Sequence, residues 1–496
     1  TPLPPSSKVP SRRSAESGYA LAVVSLDDPP VAVVRGAAGT LRPLVRLVVP
    51  VMLEQVLALA VGFVDKWIAG NLFTGAEPLA AVGLVAYCLA FIPVAFTLPA
   101  VAATALVARR VGAGDMHGAR RAMTQCFLVA AVLTLAVMLL VSVQGGRIVS
   151  MLGLPAESSL LATGYLGIVM PALPAMMVIA IGVASLRGAG DMVAGLIAMS
   201  VVNVVNAAAS FALGAGLWGL PRLGWDGLAW GTLAGYCCGA VCVVALLTRK
   251  RRGLRPLPGD WRPDAAWLRR ITRVGLPAGV DAVANAACHL TFLSIVNRLG
   301  NVDAAAHAVA VTIESLAFLP GSAFQVAAAT LAGQFLGARD ERRARGSVWL
   351  AALACMLLMT AAGAIFFCFA EPLARWFVGG STAGSPVASL AASLVRIVAF
   401  AQPSLALLMV LSGGLRGGGA TRPPMLVNFL GLVAIRLPLA MFLAWDVVPL
   451  PVGLGSVRGL GLGAYGAWLA MAADLTARGV AMLAIFARPG WTRVRV

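Results

Sequence analysis

Twelve long apolar segments in succession constrain this chain more than any other feature of its sequence. Each is long enough, at about 20 residues or more, to cross the hydrocarbon core of a bilayer as an α-helix. Charged residues make up only 12% of the chain, against about 25% in soluble domains, so polar groups cannot cover a globular surface. The sequence therefore predicts an all-α integral membrane protein. The predicted spans are 44–70, 79–108, 122–143, 158–185, 192–217, 226–247, 271–298, 304–335, 347–369, 388–413, 424–447 and 462–486.

Basic residues are concentrated in the segments between alternate spans. Of the 38 lysines and arginines, 30 fall on one side of the predicted membrane, six on the other, and Arg396 and Arg436 within spans. Loops rich in Lys and Arg stay in the cytoplasm, so both termini are predicted to be cytoplasmic and the protein to lie in the plasma (inner) membrane. The same asymmetry accounts for the net charge of +18, and we expect no nucleic-acid partner.

The two halves of the chain resemble each other in sequence. "ATALVARRVGAGDMHGAR" aligns with "ATLAGQFLGARDERRAR", which places Gly112 opposite Gly337, and "PAMMVIAIGVASLRGAG" aligns with "PSLALLMVLSGGLRGGG". The two offsets, 225 and 229 positions, agree within a few residues. With six spans in each half, this repeat predicts two parallel six-helix lobes related by a pseudo-two-fold axis along the membrane normal, an architecture of secondary transporters, which bind substrate between the repeats.

Domain boundaries follow from the repeat and from composition. Residues 1–40 are predicted to be a disordered cytoplasmic tail, with an organelle transit peptide as the alternative. Residues 41–247 are predicted to be the N-terminal lobe, 248–270 a basic cytoplasmic linker, and 271–496 the C-terminal lobe with a short basic tail.

A series of short motifs, in order and spacing, resembles the multidrug and toxic compound extrusion (MATE) family and within it the DinF-like branch. The motifs are "GFVDKWIAG", "LAAVG", "LRGAGD", "GLPAG", "IESLAFLPG", "LRGGGATRPPM" and "IRLPLA". The resemblance implies a secondary antiporter that exports organic, amphipathic or cationic compounds in exchange for H⁺ or Na⁺ by alternating access. The alternative is a flippase for a lipid-linked saccharide or another lipid in the same superfamily architecture. Such a flippase is expected to line its cleft with several arginines, for which only Arg396 and Arg436 are candidates.

The resemblance also implies a cation site in the N-terminal lobe. Asp65 matches the acid of the family's first helix, Asn206 matches the first residue of its Asn-x-x-x-Asp pattern, and Thr232 matches a threonine of the next helix. Ser210 stands where the family has the second acid. Because one carboxylate can carry a proton but alone binds Na⁺ poorly, we expect coupling mainly to H⁺.

Asp65 is also conspicuous without the resemblance. It follows Arg46 by 19 residues, about 28 Å along a helix, which places it toward the outer face of the membrane. A carboxylate there can hold a proton or a cation, or form a structural ion pair with Lys66 or another helix. Lys66 points about 100° away around the helix and is predicted to extend to the headgroups as an anchor.

Other polar residues within spans are candidates for the substrate cleft. Glu314 lies near the middle of its span, where a carboxylate is a functional candidate, with a buried ion pair to Arg436 as the alternative. Asp474 and Arg478, spaced i,i+4, are predicted to form a local structural pair. The candidate cleft residues are Glu314, Gln325, Asn285, Arg436 and Gln402, where Asn285 stands about where some relatives have a Glu, and the two glutamines could equally form helix–helix hydrogen bonds.

Catalytic and metal-binding groupings are not evident in the sequence. His117, His289 and His307 are scattered, and the eight cysteines lie in apolar runs. We therefore expect neither an enzyme nor a cofactor or metal, but a monomeric transporter whose partners are small organic substrates, H⁺ or Na⁺, and membrane lipids.

Overall fold

A computed structural model describes residues 41–72, 77–151, 156–249, 253–378, 385–449 and 455–494. The predicted tail, residues 1–40, lies outside them. Within the described ranges, 12 helices are long and apolar enough to cross a membrane, and each overlaps one of the predicted spans.

Six of the 12 spans lie in each half, with seven α-helices in the N-terminal half and eight in the C-terminal half of the described chain. The N-terminal helices are α1 (Leu41–Leu72), α2 (Glu77–Gly112), α3 (Met116–Met151), α4 (Ala156–Val169), α5 (Leu173–Gly188), α6 (Val193–Ala215) and α7 (Trp225–Thr248). The C-terminal helices are α8 (Ala265–Asn297), α9 (Asn301–Gly337), α10 (Glu341–Cys368), α11 (Ala370–Val378), α12 (Pro386–Gly417), α13 (Arg422–Leu430), α14 (Leu437–Ala444) and α15 (Gly463–Ala487). A hairpin of β1 (Val447–Pro449) and β2 (Ser456–Arg458) joins α14 to α15.

Two spans contain an irregular turn. A 3₁₀ turn, Met170–Ala172, joins α4 to α5, at a place where Pro171 and Pro174 lack the N–H groups that a regular helix needs. A π-helical segment, Gly431–Arg436, joins α13 to α14.

The described end of the predicted linker, residues 253–264, packs against α3 of the N-terminal lobe. Helix α8 begins at Ala265 rather than near 271, because the Asp264 side chain accepts a hydrogen bond from the Ala266 backbone N–H at 2.8 Å and so caps the helix. Before it, Asp260 forms an ion pair with Arg120 of α3 at 2.5 Å. The Gln125 side chain of α3 donates to the Asp260 backbone oxygen at 2.9 Å.

The first helix of each lobe packs against both lobes. The beginning of α1, from Leu44 to Val51, belongs to the apolar core of the C-terminal lobe, whereas Val61 belongs to the N-terminal core. In α8 the order is reversed, because Trp267 and Val274 join the N-terminal core and later residues join the C-terminal core. Each helix has an internal proline. Pro50 lies near the end of the first region of α1, and Pro277 lies between the two regions of α8.

Two glycines mark the contact between the lobes. A Cβ atom at Gly112 would clash with the Gln334 carbonyl oxygen, and one at Gly337 would clash with the Arg109 carbonyl oxygen. Gln334 follows Arg109 by 225 positions, as Gly337 follows Gly112. The contact is therefore self-complementary, as expected about a two-fold axis.

Candidate functional site

A cavity of about 1110 Å³ lies between the lobes. It is walled mainly by α1, α2 and α5 on one side and by α9 and α12 on the other, and most of its lining residues are apolar. Its floor lies toward the helix ends that carry the basic loops, where Arg187, Arg416 and Gly417 line it. We name this cavity the cleft.

The cleft is closed at its basic-loop end. There, Gln334 donates to the Gly188 backbone oxygen at 3.0 Å, and Thr330 donates to the Arg187 backbone oxygen at 3.1 Å. Arg109 Nη1 donates across the lobes to the backbone oxygens of Gly418 and Val494, at 3.1 and 2.7 Å. Among the described residues, the hydrogen bonds that join the lobes all lie at this end, so the lobes are held together there.

The four residues predicted for the cation site come together in the N-terminal lobe. Asp65 lines the cleft and is 6% exposed, while Asn206, Ser210 and Thr232 are buried behind it. Asn206 Nδ2 donates to Thr232 Oγ1 at 3.0 Å and to Ser210 Oγ at 3.4 Å. The Tyr165 hydroxyl lies 2.8 Å from Thr232 Oγ1, which adds to the cluster a residue that the sequence analysis missed.

Two acceptor oxygens of this cluster are unsatisfied. Asp65 Oδ1 and Asn206 Oδ1 are buried and have no hydrogen-bond partner among the described residues. Asn206 and Thr232 are polar side chains that face the Asp65 carboxylate. Tyr165 and Tyr236 are close enough to interact with it electrostatically. A proton on the carboxylate, or a bound cation, would supply what these acceptors lack.

Asp65 has no ionic partner in the part of the chain that the structure describes, so the alternative of a structural ion pair has no support here. Lys66 is exposed and lines the cleft, but it forms no ion pair with its neighbour. This agrees with the direction expected for adjacent residues on a helix.

Two further ion pairs lie near the floor of the cleft. Glu54 of α1 pairs with Arg187 of α5 at 2.6 Å, and Asp281 of α8 pairs with Arg416 of α12. Both acids are buried. The acids are 227 positions apart and the arginines 229, so the pairs are equivalent under the repeat. The sequence analysis missed them, although the repeat offset, applied to charged residues within spans, relates the two acids to each other and the two arginines to each other.

In the C-terminal lobe this pair belongs to a larger network. Asn428 Nδ2 donates to Asp281 at 3.0 Å, and Arg478 Nη1 donates to Asn428 Oδ1 at 3.2 Å. Arg478 also pairs with Asp474 at 2.5 Å, as predicted from their spacing, and Arg436 pairs with the same carboxylate at 2.9 Å. Arg436 is thus paired with Asp474 and not with Glu314, because Asp474 on the adjacent α15 faces the π-helical segment.

Of the five residues predicted for the substrate cleft, Gln325 lines it and the other four do not in this conformation. Asn285 is exposed, and the acid of its helix is Asp281, one turn earlier. Gln402 is fully buried, and its side chain has no hydrogen-bond partner among the described residues. Glu314 is half-buried on α9, and Arg436 belongs to the network described above.

Parallel six-helix lobes, a cleft between them and a buried, unpaired carboxylate on its wall define a secondary-transporter architecture. A family model described as MatE matches residues 50–212 and 277–442, more than half of the chain, and the chain belongs to this family. The family and the fold class expected from the sequence are thereby confirmed, whereas the branch within the family stays a prediction.

The chain is similar to known relatives and to solved structures over most of its length. A protein of Thermotoga maritima described as "Probable multidrug resistance protein NorM" is 27% identical over 459 residues, covering 91% of this chain and 93% of the relative. One of the same description from Bradyrhizobium diazoefficiens is 28% identical, covering 86% and 88%. A MOP superfamily transporter from Pyrococcus furiosus has TM-score 0.83 at 20% identity, covering 94% and 99%. An outward-facing multidrug resistance MATE family transporter has TM-score 0.81 at 20% identity, covering 94% and 99%.

Proposed function

We propose that this protein is a secondary antiporter that exports amphipathic or cationic organic compounds in exchange for H⁺ by alternating access. Asp65 is the observation on which the proposal rests, because it is a buried carboxylate on the cleft wall without an ionic partner among the described residues. Membership of the MatE family and the description of two relatives as multidrug resistance proteins support export. Cytoplasmic termini, a plasma-membrane location and a monomeric state stay predictions.

The walls of the cleft fit an amphipathic compound. Its volume of about 1110 Å³ is at the upper end of ligand cavities, which span about 300–1,000 Å³, and its lining offers few polar groups. The two arginines of its floor, Arg187 and Arg416, are each neutralised by a buried acid. A cationic compound therefore meets Asp65 and Lys66 as the uncompensated charges of the wall.

Proton coupling follows from the chemistry around Asp65. The neutral acid can stay buried and has an O–H to donate, and Asn206 Oδ1 is an unpartnered acceptor in the same cluster. The ionised form needs water or a cation instead. Because the two forms favour different environments, taking up or releasing a proton shifts the equilibrium between the two states of the cleft. Ser210 leaves this cluster with a single carboxylate, which favours H⁺ over Na⁺.

Transport from reconstituted liposomes tests the proposal. A pH gradient should drive uptake of a fluorescent lipophilic cation by the native protein. Asp65→Asn should reduce this uptake to background while the protein still folds, because the amide keeps the shape and cannot release a proton. The matched control is Asp226→Asn, which removes an exposed acid at the start of α7 and should leave uptake unchanged.

Two outcomes would contradict the proposal. Normal pH-driven uptake by Asp65→Asn would remove Asp65 from the coupling. Uptake that follows an imposed Na⁺ gradient at fixed pH would show that Na⁺ is the coupling ion.

A further inference from the structure

A second cavity, of about 440 Å³, lies at the basic-loop end of the C-terminal lobe. It is formed by the loop between α12 and α13, the end of α15, the C-terminal segment and one residue of α8. We name it the arginine pocket and define it by Arg273, Arg422, Arg488 and Trp491, which all line it.

The charges around the arginine pocket are of one sign. Arg273, Arg422 and Arg488 come from three different helices or helix ends, and no Asp or Glu is among the described residues that line the cavity. None of the three arginines forms an ion pair or a side-chain hydrogen bond with another described residue. Positive charges that converge in this way repel one another, and an anion between them would remove the repulsion.

Trp491, which lines the same pocket, carries a buried donor without a partner among the described residues. Trp491 is 5% exposed, stacks on Phe486 with ring centroids 4.9 Å apart, and packs against Gly418. Its indole nitrogen is buried and has no hydrogen-bond partner among the described residues. Since this group can only donate, the ligand that suits it must bring an acceptor oxygen, as a phosphate does.

Exposed apolar side chains continue from two of the arginines toward the membrane. Leu276 follows Arg273 by three positions on α8, and Leu426 follows Arg422 by four on α13, so each lies on the same helix face as its arginine. Both leucines are about half exposed, at 54% and 51%. Each is one turn further into its span, where the acyl chains of a lipid would lie beneath a headgroup held by the arginines.

We propose that the arginine pocket binds the phosphate of an anionic phospholipid. Basic pockets between transmembrane helices at the cytoplasmic surface are suited to such headgroups, and tryptophan is enriched at this level of a membrane. The two exposed leucines favour a lipid over a free phosphate, because the acyl chains of a lipid would contact them whereas a soluble anion has no apolar part that could.

Lipid retention by the purified full-length protein, measured by native mass spectrometry, tests the proposal. Phosphatidylglycerol should be retained more strongly than phosphatidylcholine. The triple variant Arg273→Gln/Arg422→Gln/Arg488→Gln should weaken phosphatidylglycerol binding by tenfold or more, on the order expected for losing three nearby charges. The control triple Arg255→Gln/Arg269→Gln/Arg342→Gln removes three other exposed arginines and the same charge, and should change binding less than twofold.

Trp491→Phe separates a built site from general electrostatic attraction. The variant keeps an aromatic ring against Phe486 and loses only the indole donor, so it should weaken retention of phosphatidylglycerol several-fold and leave phosphatidylcholine unaffected. This variant also decides the question if the triple variant fails to fold, because unchanged binding by Trp491→Phe would overturn the proposal.

Two other outcomes would overturn it. An equal loss in both triple variants would show that net charge, and not the pocket, attracts the lipid. If millimolar inorganic phosphate in lipid-free detergent raised the unfolding temperature as much as phosphatidylglycerol does, the ligand would be a soluble anion.

Discussion

The N-terminal and C-terminal lobes share a fold and a buried ion pair, but they treat their other buried acids in opposite ways. In the N-terminal lobe, Asp65 is surrounded by uncharged polar groups and keeps an unsatisfied oxygen. In the C-terminal lobe, Asp474 is paired with both Arg436 and Arg478. A buried carboxylate that is paired with an arginine is stable in its ionised form, so protonation stabilises it little. A buried carboxylate without such a partner is stabilised when it takes up a proton. The repeat thus supplies the same scaffold twice, and among the fully buried acids of the described residues only Asp65 has no ionic partner.

The strongest test of the comparison concerns the equivalent ion pairs. Arg187→Leu leaves Glu54 buried without a partner and should lower the free energy of unfolding by about 3–5 kcal/mol. Arg416→Leu should lower the free energy of unfolding by a smaller amount, because Asp281 keeps its hydrogen bond from Asn428. Thermal unfolding in detergent measures both.

Second-site changes serve as the control for this test. Glu54→Gln should recover most of the stability lost in Arg187→Leu, because the double variant no longer buries an unpaired charge. An equal loss in the two single variants would mean that the larger C-terminal network does not buffer its acid.

Closure at the basic-loop end should depend equally on both lobes. Gly112→Leu and Gly337→Leu each place a side chain against a backbone oxygen of the other lobe, and both should shift the equilibrium toward the state open at that end. The measurement is labelling of Ser315→Cys, a cleft-lining position, by an impermeant maleimide added at the opposite face, in a background without native cysteines.

Labelling should fall by a similar factor, on the order of tenfold, in the two glycine variants. Gly346→Leu is the control, since a Cβ there meets no neighbouring atom, and it should label like the parent. If only one of the two interface glycine variants changed the labelling markedly, the closed end of the cleft could not be described as a two-fold symmetric contact.

Thr232→Val probes the uncharged cluster around Asp65. The change nearly conserves volume and removes the hydroxyl next to Asn206 and Tyr165, so pH-driven export should fall by roughly tenfold, equivalent to one buried hydrogen bond. Thr134→Val is the matched control, because Thr134 is equally buried and bonds only within its own helix. Similar export by the two variants would assign Thr232 a merely structural role.

Lys66→Thr should have the smallest effect. Lys66 is exposed and forms no ion pair with Asp65, so we expect export within about twofold of the native rate in the same liposome assay. If this variant were as inactive as Asp65→Asn, the two neighbouring charges would have to act as one unit.

Hydropathy predicted the spans because it is a property of consecutive residues, and the repeat predicted the lobes because it survives in short motifs. The two equivalent ion pairs could be identified only from the three-dimensional structure, because their partners lie on different helices. Asp281 and Arg416, for example, are 135 positions apart. The position of a residue along a helix also does not say in which direction its side chain points around the helix. Arg436 was therefore a plausible partner for Glu314, which lies at a similar depth, but in the structure it pairs with Asp474. The cluster of Asp65, Asn206, Ser210 and Thr232 was reachable only through the family resemblance.

The two prolines within α1 and α8 have a mechanical consequence. The first turns of each helix are attached to one lobe and its later turns to the other, so neither helix can remain straight when the lobes rotate. Pro50 and Pro277, 227 positions apart, each remove a backbone hydrogen bond, near the end of the first attachment of α1 and between the two attachments of α8. Because a proline is a usual point of bending in a helix, α1 and α8 each contain a site, related by the repeat, at which the helix can bend when one lobe moves relative to the other.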